Sequence, residues 1–101
     1  MKDAIYALGV WRAKPGKEDA LIKAWKALAN VFVQLPRPPS GKGTLIQSLT
    51  DPLLFYSFGP WNSLADVEAM RENPDAQKGI QKIQELCSEA VPGGFQVVAE
   101  T

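Results

Sequence analysis

The chain is 101 residues long, with 46% hydrophobic and 22% charged residues, and lysine plus arginine equal aspartate plus glutamate at 11 each. That length suits one domain, residues 1–101, with one modest core; the composition excludes general disorder, and the zero net charge argues against nucleic acid as a partner. With no histidine and one cysteine, Cys87, the chain cannot build histidine-based nucleophile triads, histidine-ligated zinc or haem, or an internal disulfide, and no metal centre is expected.

Met1-Lys2-Asp3-Ala4-Ile5 sets an acid where a secretory leader carries a basic region. No apolar run approaches the roughly 20 residues that span a bilayer, so a cytoplasmic protein with no membrane partner is expected. Residues 4–12 are short, aromatic-rich and nearly uncharged, a buried strand ended by Pro15-Gly16. Over residues 17–35, Leu21, Trp25, Leu28, Phe32 and Leu35 recur at spacings of three and four, one stripe of an amphipathic helix. Pro36-Arg37-Pro38-Pro39 stops it and begins a surface loop. Residues 44–49 and 53–58 read as two strands joined through Thr50-Asp51-Pro52, with Pro60 closing the second. Ser63 and Asp66 have capping-box spacing ahead of a short helix carrying Leu64, Val67 and Met70. Asn73-Pro74 caps a further helix whose inner face runs Ala76, Ile80, Ile83, Cys87. Pro92-Gly93-Gly94 breaks that helix, and residues 95–99 form the last strand.

The order β-α-β-β-α(α)-β is that of an α+β, ferredoxin-like sandwich with a four-stranded antiparallel sheet. A sheet with one wet face should alternate apolar and polar residues. Here the first strand offers Ile5, Ala7, Gly9 and Trp11 on one side and Tyr6, Leu8, Val10 and Arg12 on the other. The third offers Phe55, Ser57, Gly59 and Trp61 against Leu54, Tyr56 and Phe58. Both sides are apolar, yet the chain has helices for only one. The other side calls for a second copy, a homodimer in which two sheets pack face to face as a dimeric α+β barrel. The bulky row Tyr6, Leu8, Val10, Leu54, Tyr56 and Phe58 suits that interface. The small row Ala7, Gly9, Ser57 and Gly59, with Trp11 and Trp61 at its ends, leaves a cleft about one ligand deep beneath the helices, unless Trp25 and Phe32 fill it.

Val10-Trp11 leading into Lys14-Pro15-Gly16-Lys17-Glu18, and Phe55-Tyr56-Ser57-Phe58-Gly59-Pro60-Trp61-Asn62-Ser63 running into a helix, resemble the antibiotic biosynthesis monooxygenase-type domain of the dimeric α+β barrel superfamily. The resemblance spans about residues 4–99. It implies a small homodimer with a pocket between sheet and helices in each subunit. It also implies oxidation of a small aromatic or apolar molecule with O2, without metal, flavin or haem, the substrate anion itself reducing oxygen. Trp61 matches the tryptophan that such oxygenases place at the end of the third strand. Their strand asparagine has no counterpart, since Asn30, Asn62 and Asn73 fall outside the strands, and the iron-ligating histidine of haem-degrading relatives is missing. A non-catalytic small-ligand-binding or stress-associated dimer on the same scaffold is the alternative, and a purely structural dimer the third.

Candidate pocket residues are Trp11, Trp25, Ser57, Trp61 and Arg71; no catalytic residue is assigned. Each has an ordinary structural use. Large aromatics mostly serve packing, a buried hydroxyl often satisfies itself locally, and a cation late in a helix complements the dipole. Cys87 reads as a buried, inert small residue. Glu18, Asp19, Glu68 and Glu72 read as solvated faces with no acid–base pair among them. Ser40-Gly41-Lys42-Gly43-Thr44 lacks the phosphate-loop signature and leads into a strand. The element order is also that of an RNA-recognition domain, but the basic-glycine-aromatic signature is missing.

Overall fold

A computed structural model describes residues 4–101; Met1, Lys2 and Asp3, part of the argument against a leader, lie outside the described residues. The elements run β1 (Ile5–Ala13), α1 (Glu18–Val33), β2 (Thr44–Gln47), β3 (Leu54–Trp61), α2 (Leu64–Glu72), α3 (Pro74–Glu85) and β4 (Cys87–Gln96). The strands form one antiparallel sheet in the order β2-β3-β1-β4. Among the described residues no helix is long and apolar enough to cross a membrane.

The helix starts follow local chemistry visible in the sequence. Gly16 takes a left-handed φ of 83°, turning the chain from β1 toward α1, and Glu18 and Asp19 place negative charge in the first turn of α1. Ser63 Oγ accepts from the Asp66 N–H to cap α2. Asn73 Oδ1 accepts from the N–H groups of Asp75 and Ala76, with Pro74 at the first position of α3.

Strand boundaries differ from the sequence reading for three physical reasons. The third strand runs through Pro60 to Trp61 rather than stopping at Phe58. The Pro60 carbonyl accepts from Ser40 N–H at 3.1 Å, so the ring nitrogen also faces away from β1, on the side where β2 has already ended. No ladder donor is lost there. The last strand begins at Cys87 and ends at Gln96, rather than spanning residues 95–99, and runs through Pro92-Gly93-Gly94 opposite Gly9, Leu8 and Ala7. It is an edge strand, where proline is tolerated. Cys87 is therefore the first residue of β4 and not the end of a helical stripe; it pairs with Ala13 and remains buried. The expected strand over residues 44–49 is shorter, because Ser48 Oγ accepts from the N–H groups of Thr50 and Asp51 and turns the chain after Gln47.

The inner sheet face carries the small row. Trp11, Ala13, Phe55, Ser57, Gly59 and Trp61 are buried beneath the helices. The core divides into two clusters. One gathers Trp11, Phe55, Leu21, Leu28, Ile83 and Cys87; the other gathers Trp61, Val67, Met70 and Ala76. Phe32 and Ile80 touch both. The opposite face is bare and apolar, with Ile46, Tyr56, Phe58, Val91 and Phe95 exposed.

Candidate functional site

Between the two core clusters lies a cavity of about 290 Å3. Its floor is the small row Ala7, Gly9, Ser57 and Gly59, where side chains too short to reach the helices leave space. Trp11 and Leu28 come from one cluster, Trp61 and Met70 from the other, and Phe32 and Ile80 from the pair that joins them. Phe32 meets Trp61 edge to face, with centroids 5.4 Å apart and planes at 72°, a geometry that favours the aromatic quadrupoles. Trp25 and Phe32 stay only half-buried because they stand against the cavity instead of filling it.

Trp11 folds back along its own strand over Gly9. A Cβ at Gly9 would lie 2.3 Å from Trp11 Cζ2, so the glycine is required by close approach and not by an unusual φ. From there Trp11 Nε1–H donates to Ser57 Oγ at 2.9 Å, a buried bond across neighbouring strands that pair Gly9 with Ser57. Because an indole N–H only donates, Ser57 Oγ is the acceptor and keeps its own hydrogen to donate.

The loop of residues 36–43 closes one side. Ser40 is bonded to Pro60, and a Cβ on Gly59 would sit 3.1 Å from Gly43 Cα. A Cβ on Gly41 would lie 2.9 Å from the Pro60 ring. Arg37 reaches α2, its Nη1 lying 3.6 Å from Asp66 Oδ1. This packing brings Lys42 to the cavity wall, which Met70 and Arg71 of α2 also line.

The five sequence-derived pocket residues, Trp11, Trp25, Ser57, Trp61 and Arg71, all line this one cavity. The structure adds Asn30, Phe32, Lys42, Met70 and Ile80. Lys42 carried no usable signal in the sequence, since its position depends on where a proline-rich loop folds back. Of the candidate interface residues, Tyr6, Leu8, Val10, Leu54, Tyr56 and Phe58 lie on the sheet face away from the helices. Leu8 stands opposite Phe58, and Val10 opposite Tyr56. Leu8 and Phe58 also line the cavity.

The titratable groups with displaced pKa values lie outside the cavity. A hydrogen bond from Arg12 Nη1 at 2.6 Å holds the Asp51 carboxyl below its ordinary value and raises that of the guanidinium. Burial pushes the Cys87 thiol up against the opposing effect of Lys14, which leaves it unreactive. Among the described residues no three metal-ligating side chains cluster. A separate open depression of about 820 Å3 runs along α1 and α3, lined by Lys23, Lys78, Lys82 and Asp75 among others.

No family model matches the chain, and no curated protein matches it in sequence. Solved structures do match. An asparagine-to-alanine variant of SnoaB, a cofactor-independent oxygenase from Streptomyces nogalater, superposes with a TM-score of 0.83 at 13% identity, covering 98% of this chain and 96% of that one. A candidate antibiotic biosynthesis monooxygenase from Bordetella bronchiseptica gives 0.80 at 16% identity over 97% and 100%. Another from Chloroflexus aurantiacus gives 0.71 at 22% identity over 97% and 96%. At such identities the likeness concerns architecture, and the architecture is that of antibiotic biosynthesis monooxygenase-type proteins.

Proposed function

We propose that the protein is a cofactor-independent oxygenase, working as a homodimer, that oxidises a small aromatic molecule with O2. The observation that carries this is the convergence of all three tryptophans of the chain, with Phe32, on one cavity. Its fold is also that of a protein described as a cofactor-independent oxygenase. The cavity stands at the small end of the roughly 300–1,000 Å3 usual for ligand sites, enough for a few fused rings between indole walls.

On an anthrone-like substrate the reaction is balanced without a cofactor. Loss of a proton gives an electron-rich enolate, which passes an electron to O2. Recombination forms a carbon–oxygen bond, and loss of water leaves the new carbonyl, one oxygen atom in product and one in water. The chain's contribution is an ordered, largely apolar enclosure plus the Ser57 hydroxyl, free to donate to the developing oxyanion. No aspartate, glutamate or histidine is among the described lining residues, so the substrate proton leaves to water through the open side. The same shortage of acid–base groups favours the second reading, a non-catalytic binding protein.

Oxygen uptake by the purified protein with a panel of anthrones and reduced phenols decides between them. Uptake matched one to one by carbonyl product supports the oxygenase. Saturable binding without uptake supports the binding protein, and neither leaves the indoles a packing role only. The bare apolar face supports the dimer, which sedimentation tests: a monomer at micromolar concentration removes it.

A further inference from the structure

Among the described residues, the charged side chains lining the cavity are of one sign. Lys42, from the loop of residues 36–43, and Arg71, from α2, are both on its wall, and among the described residues no aspartate or glutamate is. Both are solvent-exposed, so water reaches their charged ends. Among the described residues neither forms an ion pair, although the chain as a whole is balanced in charge. The acid on α2 nearest in role, Asp66, is already engaged by Arg37. Glu68 and Glu72 share α2 with Arg71 but do not line the cavity. Two unpaired cations on the wall of an apolar, indole-lined space leave its described lining net positive beside low-dielectric walls, where an anion is held better than in bulk water.

The geometry points to an aromatic carboxylate as the ligand class, its rings between Trp11, Trp25 and Trp61 and its anionic group against Lys42 and Arg71. This rests on the aromatic-binding reading above and adds the charge and the orientation of the ligand. The ring enters first, the carboxylate stays with the two cations, and Ser57 faces the ring substituent buried deepest.

The test compares 2-naphthoate with 2-naphthalenemethanol, the same rings without the charge, by titration calorimetry on the wild-type protein. The acid is expected to bind about tenfold more tightly at low salt, with the advantage shrinking at high salt while the alcohol is unaffected. The double variant Lys42→Gln/Arg71→Gln is expected to lose that preference, its affinities for the acid and the alcohol drawing level. Both side chains are exposed and unpaired, and circular dichroism confirms that the variant folds. A control, Lys23→Gln/Lys78→Gln in the depression along α1 and α3, removes the same charge elsewhere and keeps the preference. Equal affinity for acid and alcohol, or a preference that survives Lys42→Gln/Arg71→Gln, overturns the carboxylate assignment and leaves aromatic binding standing. Binding of neither compound overturns aromatic binding itself, and the carboxylate assignment with it.

Discussion

The contact between Gly9 and Trp11 makes Gly9→Ala the sharpest probe of the site. The added methyl would lie 2.3, 2.5 and 2.7 Å from Cζ2, Cε2 and Nε1 of Trp11, the flank of a rigid ring rather than the end of a flexible chain. Trp11 is 3% exposed and its indole N–H is bonded to Ser57, so moving the ring gives up that bond. Overpacking costs about 1–3 kcal/mol. Pulling Nε1–H off Ser57 strands a buried donor, a further cost of about 1–3 kcal/mol. Replacing glycine in a strand returns about 0.5–1 kcal/mol. The net loss is about 3 kcal/mol, a fall in Tm of roughly 12–24 °C for a chain of this size. Thermal unfolding followed by far-UV circular dichroism measures it. In a Trp11→Leu background the same Gly9→Ala change meets no ring and is expected to cost under about 1 kcal/mol, a coupling that a double-mutant cycle isolates. A melting point within about 2 °C of wild type for Gly9→Ala, or equal costs in both backgrounds, refutes the close-approach argument.

Trp61→Phe keeps an aromatic partner for Phe32 but shortens the cavity wall; it is expected to cost about 1 kcal/mol in denaturant unfolding and at least about fivefold in affinity for a fused-ring ligand. Phe58→Glu places a charge on the bare sheet face of each copy and is expected to weaken self-association at least about tenfold by sedimentation, with the circular dichroism spectrum unchanged. The Arg12–Asp51 pair sets a pH dependence. The folded-state carboxyl lies below its ordinary value, so the stability it adds is present above that value and is lost as pH falls through the folded one. Asp51→Asn is therefore expected to lower Tm slightly at pH 7 and to match wild type in strong acid. A difference that persists in acid assigns the effect to the loop hydrogen bond that Asp51 Oδ1 accepts from Leu53 N–H.

Much of this was legible in the sequence because it rests on local rules. Period-two alternation in β1 and β3 separated the small row from the bulky row, and the caps at Ser63 and Asn73 marked two helix starts. The legible part ended where distant segments decide the outcome. Pro92-Gly93-Gly94 reads as a break by local chemistry, but at a sheet edge opposite the compact stretch Ala7-Leu8-Gly9 it is tolerated as strand. Cys87 continues the spacing of Ala76, Ile80 and Ile83, yet pairing with Ala13 takes it into β4. The division of the core into two clusters, and the arrival of Lys42 at the gap between them, follow from how the loop of residues 36–43 packs on Gly59 and Pro60.

The sheet's borders have a further consequence. One border strand is only 4 residues long, and the other is interrupted by a proline with no N–H to offer a newcomer. Strand-by-strand growth, the open-ended route toward fibrils, is therefore poorly templated on either side. The greasy surface that remains is a flank rather than a rim, and flank-to-flank contact between two like molecules closes on itself. The chain can thus display a wide oily patch without seeding endless polymer.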